Sequence, residues 1–404
     1  MTNVQIPMTR ECPSSIEPER TAKRDAWFVG HWSLLGVWSL VLGHFLVGCS
    51  PRSTSPDALA GSKVFSHAEI IGSRGTAPGQ FNKPRSVAVD GSGNFFAVDM
   101  TGRVQKFSPD GGFLTYWQMP QTDLGKPKGM GRDLAGNVIV VEPHYQRVNH
   151  FAPDGRLVTQ WNVHATNLGP SILPRAVAMN SRGEIFVSEY GLAERVLGFT
   201  PDGRKQWLEF GKAGTGPGEF NRAEGLAVGP DNRIYVADSC NHRIQIFSRE
   251  GRLLASYGRP GSGLGELSYP YDIRVDAMGR QFVCEFGNSR LQIFDAQNRP
   301  LEIIGGPGIA PGQFNNPWSI ALDGAGNLYV ADAGNHRVQK LIRRKEPTGS
   351  AAAVPNPTPT LNLNLNLRSQ HPRDLRLGLR VGVGLRRERQ GLVLAGARRE
   401  ALHS

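Results

Sequence analysis

Six times along the middle of the chain, short apolar runs and polar turns recur in one order: an extended segment, a turn, an apolar strand closing on an acid, a short loop, then Arg opening another apolar strand. The clearest copies run from Gly218 to Asn221, Gly225 to Val228, Ile234 to Asp238 and Arg243 to Phe247, and again from Gly312 to Asn315, Ser319 to Leu322, Leu328 to Asp332 and Arg337 to Gln339. The runs are too short for helices, and turn residues bound them, so they are predicted to be strands. The closing acids are Asp99, Glu142, Glu189, Asp238, Glu285 and Asp332, separated by 43, 47, 49, 47 and 47 residues. A period of this length with several short strands per unit predicts propeller blades, where independent domains would need longer units.

The turns support that reading. Asp90 to Asn94, Asp323 to Asn327 and the Pro-Asp-Gly triplets beginning at Pro109, Pro153 and Pro201 supply the side-chain hydrogen bonds and positive φ that hairpins need. Each unit is therefore predicted to be a four-stranded meander. The sixth stops at Lys345 and lacks a fourth strand, whereas Phe65 to Gly72 matches the closing strands Leu253 to Gly258 and Leu301 to Gly305. If that early strand completes the last blade, no long unpaired edge remains. The expectation is an all-β fold: one six-bladed β-propeller of four-stranded antiparallel blades over 64–344, closed by an N-terminal strand. A ring of this kind is expected to be monomeric.

The triplets Asn241-His242-Arg243 and Asn335-His336-Arg337 sit in equivalent loops, and on these and the six units in register the chain resembles the NHL repeat family over roughly 280 residues. Units two and three depart most, with loops Pro143 to Gln146 and Tyr190 to Ala193. The resemblance implies a propeller used for binding. In animal proteins such propellers follow zinc modules and bind RNA or protein; the 404 residues contain no such module. Some relatives resemble an amidating lyase that holds a central metal through several His. His144, His242 and His336 fall in alternate units and are the candidates for that chemistry.

Every unit pairs its acid with an Arg four to six residues on: Asp99 with Arg103, Glu142 with Arg147, Glu189 with Arg195, Asp238 with Arg243, Glu285 with Arg290 and Asp332 with Arg337. Six copies point to structural ion pairs, because catalysis needs one asymmetric constellation. The repeated Phe81, Phe220, Phe314, Tyr235 and Tyr329 are expected to pack between blades. Function should sit where units differ. The position opening each inner strand holds Arg85, Lys128, Arg175, Glu224, Tyr271 and Trp318, three cations facing two aromatics across a channel mouth. That set suits an anionic ligand with a flat apolar or sugar-like face; the alternative is a solvated rim.

Other chemistry finds little support. No GxSxG elbow, phosphate-binding Walker loop, HExxH or GxGxxG after a strand is present. A calcium hydrolase would need clustered carboxylates, and the mouth positions hold one, Glu224. No cofactor is expected. The four cysteines show no metal spacing, and pairing of Cys240 with Cys284 is left open, with Cys284 read as a small core residue. Net charge is +11, of which the last 59 residues carry +5. The excess on the remaining chain is too small to indicate a nucleic-acid partner.

The ends suggest an address. Ala26 to Gly48 contains no Asp, Glu, Lys or Arg, follows Arg20, Lys23 and Arg24, and runs into Leu46-Val47-Gly48-Cys49. This resembles a bacterial lipobox, so 1–48 is expected to be a signal peptide, Cys49 the lipidated residue and 49–63 a linker. An uncleaved signal anchor is the alternative; either way the propeller would lie outside the cytoplasm, membrane-anchored at the envelope. The tail, 345–404, is basic and of low complexity, and is expected to be disordered. The sequence thus points to a non-enzymatic scaffold for a protein or glycan partner, with a lyase at the same mouth as the competing class.

Overall fold

The computed structural model describes residues 58–163, 172–191 and 193–345. The expected signal segment, Cys49 and the basic tail lie outside the described residues. Regular structure consists of 24 strands and three single-turn 3-10 helices, and no helix among the described residues is long and apolar enough to cross a membrane.

The strands form six four-stranded antiparallel sheets. The first five are simple meanders, and in each the first strand lies innermost. Blade one begins with Pro84–Val89, blade two with Gly129–Arg132, blade three with Ile172–Met179, blade four with Ala223–Val228, blade five with Pro270–Val275 and blade six with Pro317–Leu322. These six inner strands neighbour one another in sequence, and that of blade six returns to that of blade one. The fold is an all-β, six-bladed propeller.

The ring shuts with the early strand Phe65–Ile71, which pairs antiparallel with Arg337–Arg343, placing His67 opposite Ile342 and Ile71 opposite Val338. Arg344 N extends the pairing by donating to Val64 O at 2.9 Å. The last blade is thus built from both ends of the propeller, so opening the ring would expose paired backbone as well as apolar side chains.

The core is divided into six clusters, each lying between two blades. Phe81, Phe95 and Phe107 of blade one pack against Ala321, Tyr329 and Ala331 of blade six. Phe220 and Phe247 of blade four meet Phe186 and Val196 of blade three. The strands forming these seams are buried on both faces: Ile234–Asp238 and Leu328–Asp332 have no exposed position. This accounts for their continuous apolar runs, since strict alternation is expected only where one face meets water. Outer strands such as Phe113–Gln118 do alternate in burial.

Candidate functional site

Two repeated devices set the loops on the face where the inner strands begin. All six acids contact their Arg within the blade: Asp99–Arg103 at 3.4 Å, Glu142–Arg147 at 2.5 Å, Glu189–Arg195 at 2.6 Å, and Asp238–Arg243, Glu285–Arg290 and Asp332–Arg337 at 2.7 Å. The guanidinium does more than close its own hairpin. Arg337 also donates to the carbonyls of Ile309, Ala310 and Gln313, in the loop that leads into its blade. Two residues on, Gln339 donates to Gln313 O and Asp332 and accepts from Gly312 N. The same clamp recurs with Arg103 and Gln105, Arg243 and Gln245, and Arg290 and Gln292. A planar fork with five donors suits a task that joins one carboxylate to several carbonyls.

Blades two and three lack that Gln, carrying Asn149 and Leu197 instead. There Arg147 turns to Gln121 and Arg195 to Glu209. Buried atoms of both blades, Arg147 Nη2, Asn149 Oδ1 and Arg195 Nη2 among them, have no hydrogen-bond partner among the described residues. The regular clamp is relaxed in the two blades whose loops depart most from the repeat.

The signature histidines form the second device. His336 Nδ1 accepts from Lys83 N, and His242 Nδ1 from Tyr269 N, each at 3.2 Å across a blade boundary. Ser289 makes the same clasp to Asn316 N, and Glu194 to Arg222 N and Ala223 N. Lys83, Arg222, Tyr269 and Asn316 all have positive φ, so the clasp fixes a strained residue just before four of the six inner strands. Among the described residues no three His, Cys, Asp or Glu side chains come together to hold a metal ion. The alternate-blade histidines therefore do not converge; two of them spend a ring nitrogen on the neighbouring backbone. Cys284 is a free, fully buried thiol in the core between blades five and six, and so is not paired with Cys240.

The six mouth positions do meet. Arg85, Lys128, Arg175, Glu224, Tyr271 and Trp318 line one cavity, joined by Asp272, Arg274, Ser86 and Ser319. In five blades the strand register slips at this residue, between Pro84 and Ser86, Pro174 and Ala176, Ala223 and Gly225, Pro270 and Asp272, and Pro317 and Ile320. A bulge leaves the extra residue out of the ladder and re-aims its side chain, here into the channel. Lys128 lies just ahead of its strand, with its N–H bonded to Val141 O at 3.0 Å. Glycines follow two of these residues. A Cβ on Gly129 would stand 2.4 Å from Arg175 O, and one on Gly225 would stand 2.6 Å from Asp272 Cα. Glycine there lets adjacent inner strands close in and narrows the channel.

This is not a solvated rim. Five of the six are buried, Arg85 and Lys128 at 6% exposure and Glu224 at 3%, with Trp318 partly exposed. The centre of a water molecule has about 10 Å³ of free space between them, room for about one water. A flat ligand does not fit there, and the protein's own groups occupy the rings expected to receive one. Tyr271 stacks on Phe286 at 4.3 Å, and the Arg85 guanidinium lies 4.5 Å over Trp318.

Charge in the cavity is lopsided. Four basic side chains, Arg85, Lys128, Arg175 and Arg274, face two carboxylates. Glu224 is bonded to Arg175 and, at 2.8 Å, to Arg222. Burial pushes its carboxyl up, but Arg175, Arg222 and Lys128 outweigh that and hold it at about 2. Asp272 takes Arg274 at 2.6 Å and Ser319 at 2.8 Å. Burial and the nearby Arg175 lower Arg85 to about 10, and the same causes lower Lys128 to about 7. The Lys128 ammonium bonds Tyr190 Oη at 3.2 Å. Arg85 Nε has no hydrogen-bond partner among the described residues, and no carboxylate pairs with this guanidinium there. Tyr190, Arg222 and Asp272 are site residues that the sequence reading did not single out. Arg222 stands two residues before the mouth position Glu224, and Tyr190 directly follows the repeat acid Glu189.

The fold and the clamp define a propeller of regular four-stranded repeats. The NHL repeat family matches residues 220–247 and 314–341, within blades four and six, so the propeller carries NHL repeats in these two blades. Protein brain tumor of Drosophila melanogaster is 52% identical over 44 residues, 11% of this chain and 4% of that protein. NHL repeat-containing protein 3 of Homo sapiens is 32% identical over 79 residues, 19% of this chain and 22% of that one. The chain therefore matches only a small part of the length of these curated relatives. Among solved structures, a protein of unknown function from Bacteroides thetaiotaomicron superposes with a TM-score of 0.55 at 19% identity, covering 69% of this chain and 76% of that one. A gluconolactonase from Xanthomonas campestris gives 0.51 at 16% identity, covering 72% and 99%. At such identities these two share the fold with this chain.

Proposed function

We propose that this chain is a non-enzymatic binding propeller that docks a protein partner on the face where its inner strands begin, with an acidic group of the partner directed at the channel mouth. The observation that carries the reading is Arg85: buried, stacked on Trp318, without a carboxylate, and grouped with Lys128 and Arg175. A buried cation is costly unless it is paired, so a site with surplus positive charge favours an anionic visitor. A glycan partner is less favoured, because the cavity is too narrow for a sugar ring and the ring faces are already in use. A lyase is the competing class, and two of its three candidate histidines, His242 and His336, are committed to clasps between blades.

The envelope address belongs to the same proposal. It is supported by the uncharged run from Ala26 to Gly48 ending at Cys49, and Cys49→Ser should release the chain from the membrane fraction. The binding role is tested by photo-crosslinking the full chain in envelope preparations, comparing wild type with Arg85→Gln. A partner protein joined by wild type and lost in a folded Arg85→Gln variant supports docking. Equal crosslinking by both, or turnover of a small substrate with stoichiometric metal, contradicts it.

A further inference from the structure

We infer that the channel holds a site for a single carboxylate, inserted end-on between Arg85, Lys128 and Arg175. This deepens the docking proposal and rests on it for the source of the ligand: an Asp or Glu side chain, or a chain terminus, of the partner.

Room for about one water admits the tip of a carboxylate and excludes a ring or a bulky polyanion. The donors come next. Arg85 is held by stacking on Trp318, so its planar fork is fixed before any ligand arrives, and its Nε lacks a partner among the described residues. Arg175 is oriented by Glu224, which Arg222 holds in turn. Lys128 is positioned by Tyr190. Pre-organised donors lose little freedom on binding, and a charged guanidinium can take both oxygens of a carboxylate.

The walls are otherwise satisfied. Asp272 accepts from Ser319 Oγ at 2.8 Å, Ser319 Oγ lies 3.2 Å from Ser86 Oγ, and Ser86 Oγ accepts from Met130 N at 3.0 Å. This belt ties blades five, six, one and two together and leaves Arg85 as the group on that side whose needs the fold does not meet. Glu224 and Asp272, the two carboxylates of the lining, sit with their own arginines.

The test uses acetate as the probe and the full chain as the protein. Titration calorimetry should show saturable binding of acetate, with acetamide, its neutral isostere, inert. Arg85→Gln should weaken acetate by about tenfold or more, the loss expected for a charge-assisted hydrogen bond. Arg85→Lys should recover part of it, and far-UV circular dichroism should report an intact fold in both. No saturable acetate binding, or equal binding in Arg85→Gln, overturns the inference. The two proposals fail separately. Crosslinking that needs Arg85 without acetate binding removes only the carboxylate site; acetate binding with crosslinking indifferent to Arg85 removes only the docking role.

Discussion

The guanidinium of Arg85 lies 4.5 Å over the ring of Trp318, joining the first complete blade to the last across the seam that closes the propeller. The two residues are 233 positions apart in the chain, yet they hold equivalent positions in their blades. Closure by Phe65–Ile71 brings them together, and both line the channel cavity. Structural closure and the candidate binding site are thus one feature.

Arg175 plays a different part from Arg85, although both occupy the same repeat position. Its ion pair with Glu224 is almost wholly buried, and removing one partner strands the other. Arg175→Ala should therefore destabilise the propeller by about 3 kcal/mol, the lower end for a broken buried pair, because Arg222 still contacts Glu224. The double variant Arg175→Ala, Glu224→Gln should be milder. Urea unfolding of wild type, the two single variants and the double variant measures this, and additivity of the two substitutions would contradict it.

Glu194 takes the clasp position that His242 and His336 hold elsewhere. Burial raises its carboxyl to about 7, against the lowering effect of the N–H groups of Gly191, Ala223 and Arg222. A folded pKa above the ordinary 4.5 means the folded protein binds the extra proton. Stability from this group is therefore lost as pH rises from about 4.5 to 7. Glu194→Gln keeps an acceptor without the charge, so it should stabilise the protein above pH 7 and have little effect near pH 4. A melting-temperature difference that does not change with pH would contradict this.

His336→Ala removes the acceptor for Lys83 N and should cost about 0.5–1.5 kcal/mol, the usual worth of one hydrogen bond. His336→Asn should restore part of that. Zinc should leave the melting temperature of wild type and variant equally unaffected; a zinc-dependent rise lost in His336→Ala would revive a metal role.

The blades were legible in the sequence because each repeats the same acid, loop and Arg. The missing fourth strand of unit six could be found by its likeness to Leu253–Tyr257 and Pro300–Ile304. The mouth positions were legible for the same reason, as one register position read six times. Their burial was not. It depends on Gly129 and Gly225 letting neighbouring inner strands approach, an effect of blade against blade that no single repeat displays. The same limit hid Tyr190 and Arg222, which contact Lys128 and Glu224 from the second strand of blade three and from the segment ahead of the first strand of blade four. It also explains why His242 and His336 looked like alternate-blade ligands: their partners are backbone N–H groups of the next blade, which carry no side-chain signature.

The account depends most on a buried positive surplus in the channel, and Lys128 reports it directly. Its ammonium is lowered to about 7 by burial and by the neighbouring Arg175, with Arg85, Arg222, Glu224 and Tyr190 also around it. A carboxylate bound beside it would favour the charged form and move the pKa back up. The measurement is an NMR titration of the Lys128 side chain, assigned with Lys128→Arg, without acetate and with it. The account predicts a midpoint near 7 that rises when acetate is present; an ordinary lysine midpoint unmoved by acetate would contradict it.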